Sequence, residues 1–129
     1  MRRRLFVLAA CAGLLGAAGV AAAAAAAHIG GGQLLETAAT FLMIHSATVL
    51  GIVALALRVP PRSAVAFGLG ALLLIAGMIL FCGDFAMRAL AGHSLFPMAA
   101  PTGGLLLIAG WIAVAIAAAF AAGFKRRDG

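Results

Sequence analysis

The stretch SAVAFGLGALLLIAGMILFCGDFAM, residues 63–87, decides the fold of this chain. It contains a single charged residue, Asp84, close to its far end. A run of about 20 apolar residues is long enough to cross the ~30 Å hydrocarbon core of a bilayer. Because a lone segment in lipid must satisfy its own backbone hydrogen bonds, this run predicts a helix that spans a membrane.

Three further runs of the same kind cover residues 5–27, 37–57 and 103–124, and short polar stretches separate them. The four runs predict an all-α membrane protein, a four-transmembrane-helix bundle that forms a single membrane domain over residues 1–129. The composition agrees with this fold class. Of the 129 residues 66% are hydrophobic and 9% are charged, which is too little polar surface for a soluble domain.

The basic residues flank the apolar runs and predict an orientation. Arg88 lies on one side of the membrane, and the other eight lie on the opposite side: Arg2, Arg3, Arg4, Arg58, Arg62, Lys125, Arg126 and Arg127. Since basic loops stay in the cytoplasm, the N-terminus and the C-terminus are both predicted to be cytoplasmic. A nucleic-acid binder would carry its basic residues on one folded face, so the net charge of +6 does not indicate nucleic acid. The predicted partners are the lipid bilayer and other membrane proteins or further copies of this chain.

The first run has an alternative interpretation. A basic start, an apolar middle and small residues up to Ala27 are also typical of a cleaved secretory signal peptide. Cleavage would leave three helices and would not change the orientation of the rest, and the sequence leaves this alternative open. Cys11 and Cys82 lie inside apolar runs without CxxC spacing, so we interpret them as small buried hydrophobic residues.

Most polar residues gather near the outer ends of the runs, at His28, Glu36, Asp84, Arg88 and His93. This layer predicts a shallow vestibule that faces the periplasm. Asp84 and Arg88 are four residues apart, so they share a helix face and can pair. Two interpretations of Asp84 stay open: an ion pair that fixes the third helix, and a cation or proton site formed with Glu36 or His28.

His45 lies deeper, nine residues past Glu36 and therefore ~13 Å further along the helix axis. A polar side chain near mid-membrane is costly unless it faces a neighbouring helix. The alternatives are a hydrogen bond to such a helix and a role as a proton relay or ligand. Trp111, two turns inside the fourth run, is expected to pack. The candidate functional polar residues are therefore His28, Glu36, His45, Asp84 and Arg88.

The sequence contains no nucleophile–base motif, no phosphate loop and no carboxylate pair at hydrolase spacing. Haem or another metal needs ligands at matching depth, and the three histidines do not provide them. We therefore predict that the chain is not an enzyme, with no catalytic residue, no cofactor and no metal.

Several segments resemble one family, the domain-of-unknown-function 423 family of small bacterial inner-membrane proteins, YgdD-like in type. Phe41-Leu-Met-Ile-His45 resembles the family's aromatic-x-x-x-His motif, and Ala27-His28 resembles its Gly-Ala-His motif. Leu80-Phe-Cys-Gly83 is similar to its Leu-Phe-Ser-Gly motif. Pro101-Thr-Gly-Gly104 with Gly110-Trp111 is similar to its Pro-x-Gly-Gly…Gly-Trp motif. The order and spacing fit across nearly the whole chain, although Asp84-Phe85-Ala86 stands where the family has Ser-Leu-Tyr. The resemblance implies a four-helix protein of the bacterial inner (plasma) membrane and no reaction.

Two functions follow as the main hypotheses. Many small residues and few polar ones favour a non-enzymatic packing or accessory subunit. The alternative is a small oligomeric transporter or channel that uses the outer-side polar vestibule. Small multidrug-resistance proteins have a similar size, but they carry a carboxylate in the first helix, which this chain lacks. A lipid or quinone binder is a third possibility, based only on the apolar groove that such bundles can form.

Overall fold

The computed structural model describes residues 1–29 and 32–125, which form four helices with short connections. These are α1 (Arg2–Ile29), α2 (Gly32–Ala56), α3 (Pro61–Ala91) and α4 (Ala99–Lys125). All four are long and apolar enough to cross a membrane. No strand occurs within the described ranges. The predicted all-α fold with four membrane-spanning helices is therefore confirmed, whereas Arg126 and Arg127 of the basic C-terminal cluster lie outside the described residues.

The ends of α3 follow from local residue types. Pro61 stands within its first turn, where the missing N–H is not needed, and the chain leaves the helix at Gly92 with a φ of 75°. Only glycine adopts this left-handed conformation without strain. The helix runs past the apolar stretch as far as Ala91, so Arg88 belongs to the same helix as Asp84.

Consecutive helices pack antiparallel, α1 on α2, α2 on α3 and α3 on α4, while α1 and α3 touch only sparsely. The two central helices, α2 and α3, provide most of the core, including Val49, Phe67, Leu74 and Met78. The two flanking helices, α1 and α4, keep most of their surface exposed.

This packing gives the bundle two chemically different ends. The arginine-rich end carries Arg2, Arg3, Arg4, Arg58 and Arg62. The opposite end, which we name the Asp84 end, carries His28, Glu36, Asp84, Arg88 and His93.

The contact between α3 and α4 depends on glycine. A Cβ atom at Gly103 would overlap the Phe81 backbone nitrogen and would lie 2.9 Å from the Gly77 carbonyl oxygen. Small residues at such positions let helix backbones approach closely, which provides the dispersion contacts that hold helices together in lipid.

Candidate functional site

Asp84 forms a junction between α3 and the connection to α4. Its side chain is completely buried, and its Oδ2 accepts a hydrogen bond of 2.6 Å from Nε of Arg88. The Arg88 side chain is 46% exposed. The ion pair predicted from the spacing is therefore present, with the carboxylate inside the protein and the guanidinium at its surface.

The second oxygen of Asp84 is also occupied. Oδ1 accepts a hydrogen bond of 2.8 Å from the backbone N–H of Leu95, in the connection between α3 and α4. A buried carboxylate is costly unless its lone pairs find donors, and here each oxygen has one. Asp84 consequently fixes the path of the connection that leads the chain into α4.

His45 forms a second junction, near the middle of the bundle, and it is 7% exposed. Its Nε2 accepts a hydrogen bond of 3.3 Å from the indole Nε1–H of Trp111, and its Nδ1 lies 2.8 Å from the Phe41 carbonyl oxygen. Because an indole N–H can only donate, Nε2 must be unprotonated and Nδ1 must carry the proton. The arrangement holds a neutral imidazole that links α2 to α4.

A row of neighbouring rings runs between the two junctions. We name it the aromatic row: Phe85, Phe81, Phe41, His45 and Trp111. The successive ring centroids are 4.4, 5.0, 5.3 and 6.1 Å apart. These are distances at which ring quadrupoles attract, and each pair contributes about 0.5–1.5 kcal/mol beyond simple burial. The row crosses from α3 to α2 and then to α4, so it ties three helices together.

The remaining predicted residues do not join either junction. His28 is exposed at the end of α1, and the His93 Nδ1 lies 3.0 Å from the Ser94 carbonyl oxygen in the connection before α4. Glu36 is exposed and lines a cavity of about 330 Å³ between α1 and α2, together with alanines, Thr40 and Met43. Within the described ranges, no hydrogen bond or ion pair connects Asp84 with Glu36 or His28.

The predicted outer layer of polar residues therefore exists, but Asp84 is sealed beneath Arg88 and Leu95 while Glu36 lies in a separate cavity. In the part of the chain that the structure describes, no three His, Cys, Asp or Glu side chains are grouped as metal ligands. Ser63, at the arginine-rich end, is buried, and its hydroxyl has no hydrogen-bond partner among the described residues.

Neither the bond between Trp111 and His45 nor the role of the Leu95 amide was predicted from the sequence. A signal for the first was available. His45 is 13 residues from the start of α2 and Trp111 is 12 residues from the start of α4. Both helices begin at the Asp84 end, so the two residues lie at similar depths of about 20 and 18 Å.

Fold and site together define a multi-pass membrane protein whose deeply placed polar side chains serve contacts inside the bundle. The chain belongs to the family described as Protein of unknown function (DUF423), whose sequence model matches residues 12–104. The predicted membership of the domain-of-unknown-function 423 family is thus confirmed. No solved structure matches this chain.

Proposed function

We propose that this chain is a non-enzymatic accessory protein of the bacterial inner membrane, which packs against other membrane proteins and has both termini in the cytoplasm. The proposal follows from two features, the internal use of its polar groups and a small-residue face on α1 that has no partner among the described residues.

The first feature concerns polar chemistry. His45 of α2 and Asp84 of α3 are buried polar side chains, and each uses both of its hydrogen-bonding atoms within the bundle. A transport site needs groups that can exchange partners with a substrate or with water. Groups that are fully occupied by helix contacts favour a structural role.

The second feature carries the proposal. Gly13, Ala17 and Ala21 follow one another at intervals of four residues and are all exposed on α1. A Cβ atom at Gly13 would have no neighbour within 4 Å, whereas Gly19, on the face towards α2, is covered by Met43. Small residues four apart are the usual means by which one membrane helix receives another. We name Gly13, Ala17 and Ala21 the small face of α1.

The distribution of basic residues supports the orientation. Arg2, Arg3, Arg4, Arg58 and Arg62 all lie at the arginine-rich end, and short basic segments remain on the cytoplasmic side of bacterial membranes.

The test is a comparison of tagged variants, extracted from native membranes in a mild detergent and analysed by quantitative mass spectrometry. We expect the wild-type chain to bring with it a second membrane protein in a fixed ratio. Ala17→Leu fills the small face of α1 and should abolish this recovery. Ala47→Leu adds the same bulk at an exposed position of α2 and should leave it unchanged. Recovery of this chain alone, or equal recovery with both variants, would contradict an accessory role.

The alternative, a small oligomeric transporter or channel, is supported by the cavity beside Glu36. It predicts flux in proteoliposomes that falls when Glu36→Gln removes the carboxylate. Flux that is absent, or that is equal in wild type and variant, would eliminate this function for Glu36.

A further inference from the structure

A cleft opens between α1 and α3 at the arginine-rich end, and the packing role does not use it. Its volume is about 800 Å³. Arg3 and Arg4 line its mouth, and apolar side chains line the part further in, among them Val7 and Leu8 of α1 and Leu69 of α3. The cleft exists because α1 and α3 touch only sparsely and because Gly68, in its wall, has no side chain.

The polarity of the cleft changes along its length as the polarity of a phospholipid does. On α3 it extends from Ala64 to Leu72, a distance of about 12 Å at 1.5 Å per residue. That is somewhat less than half the ~30 Å hydrocarbon thickness, so the cleft reaches into one leaflet only. A charged mouth at the interface and an apolar channel below it match a headgroup phosphate and an acyl chain.

The charge of the mouth has no counterpart in the described part of the chain. Within residues 1–29 and 32–125 the acidic residues are Glu36 and Asp84, and both lie at the Asp84 end. Arg3 and Arg4 are exposed. Guanidinium groups bind phosphate oxygens through paired hydrogen bonds, and an anionic lipid surface attracts each nearby arginine. The complementary partner is therefore an anion held at the membrane surface.

We infer that this cleft binds one anionic phospholipid of the leaflet at the arginine-rich end. Arg3 and Arg4 hold its phosphate, and one acyl chain lies between α1 and α3 along Val7, Leu8 and Leu69. This binding site goes beyond the proposed accessory role and stands without it, because it requires no protein partner.

Two kinds of variant distinguish a specific lipid-binding site in the cleft from a general attraction of the arginines to negatively charged lipid. Gly68→Leu places a side chain in the cleft, and the one neighbour of the new Cβ would be Leu5 Cδ2 at 3.9 Å, so the variant creates no clash at that atom. Gly51→Leu is its control, because the space around Gly51 is open. Arg3→Gln with Arg4→Gln removes two charges from the mouth. Arg58→Gln with Arg62→Gln removes two charges from the same end outside the cleft.

The measurement is a titration of the full chain in mild detergent, followed by native mass spectrometry. The probes are phosphatidylglycerol and phosphatidylcholine with identical acyl chains. We expect one phosphatidylglycerol per chain to bind in preference to phosphatidylcholine. The Arg3 and Arg4 double variant should weaken its binding about 25-fold, on the order of fivefold for each arginine. Gly68→Leu should remove the binding of either lipid in the cleft, and both controls should bind as wild type does.

The inference is overturned if the two lipids bind equally, or if the Arg58 and Arg62 double variant loses as much affinity as the Arg3 and Arg4 double variant. A dimer of this chain that disappears in Gly68→Leu would also overturn it, because a second copy would then occupy the cleft. Helicity and monodispersity are checked for each variant. Should Gly68→Leu fail to fold, the comparison of the two arginine pairs decides the question.

Discussion

The imidazole of His45 is the point at which α2 and α4 are joined, although these two helices share few other contacts. A hydrogen bond in the membrane interior gains less than its dry surroundings suggest, because the unfolded chain in lipid also finds partners. The bond from Trp111 therefore contributes specificity more than bulk stability. It forms only at a rotation of α4 that points the indole N–H at Nε2.

Trp111→Phe tests this bond, because it keeps a ring at the position and removes the indole N–H that donates to Nε2. We expect the free energy of unfolding in detergent to fall by about 0.5–1.5 kcal/mol. Helical circular dichroism during denaturation provides the measurement. A double-mutant cycle with His45→Leu isolates the pair, and we expect a coupling energy of about 0.6 kcal/mol. A coupling of zero would show that the two residues do not depend on each other.

Asp84 forms an ion pair of unequal burial, because its carboxylate is buried while the Arg88 side chain is half exposed. Arg88→Leu leaves that carboxylate without its cation, and we expect the free energy of unfolding to fall by about 2 kcal/mol. This is below the ~3–5 kcal/mol of fully buried pairs because Arg88 is in contact with solvent. Asp84→Asn should cost less, since the amide oxygen still accepts from Leu95.

The double variant Asp84→Asn with Arg88→Leu is the control for this pair. Asp84→Asn removes the carboxylate charge that Arg88→Leu leaves without a cation, so it should restore part of the lost stability. The same unfolding measurement applies. If the stability losses of the two single variants add up to the loss of the double variant, the pair is not coupled.

At the scale of the elements, each flanking helix is attached through small residues on one face. Gly103 and Gly77 bring the backbones of α4 and α3 together, and Gly19 does the same for α1 and α2. Large apolar side chains on the outer side of α4, such as Leu105 and Phe120, face away from the bundle. Close backbone packing at small residues thus attaches the two flanking helices to the core of α2 and α3.

Gly103→Ala should separate α3 from α4. The added methyl would overlap the Phe81 backbone nitrogen, and a backbone atom cannot move aside as a side-chain end can. We expect a loss of about 1–3 kcal/mol, the usual cost of overpacking, seen as a lower thermal midpoint in detergent. Gly123→Ala in the same helix has open space around it and is the matched control. It should be neutral or slightly stabilising, as alanine favours helix over glycine by up to ~1 kcal/mol. Equal effects of the two changes would contradict this view of the contact.

At the scale of the whole molecule, the sequence was sufficient for the four helices because lipid leaves the backbone no other choice. The spacing of Asp84 and Arg88 was likewise sufficient for their ion pair, since residues four apart on a helix face each other. Hydropathy carries no information about which helices touch. The bond between His45 and Trp111 spans 66 residues, and the amide of Leu95 has no side-chain signature at all. Such contacts depend on helix rotation, which close packing determines.

The proposed orientation predicts which connections between helices an impermeant reagent can reach from outside the cell. Cysteine introduced as Val59→Cys, in the connection between α2 and α3, should be protected from an impermeant maleimide added to intact cells. Ser94→Cys, at the Asp84 end, should react. Cys11 and Cys82 lie within helices and give the background, which the unmodified chain measures. The reverse pattern of labelling would contradict the cytoplasmic placement of the arginine-rich end.

The proposed accessory role requires that the small face of α1 receive another membrane protein. Site-specific photo-cross-linking in native membranes tests it most directly, with a small diazirine amino acid at Ala17 and, as control, at Ala47 of α2. We expect a discrete adduct with a different membrane protein from position 17 and none from position 47. Adducts with lipid or with this chain alone, or the same protein adduct from both positions, would contradict it.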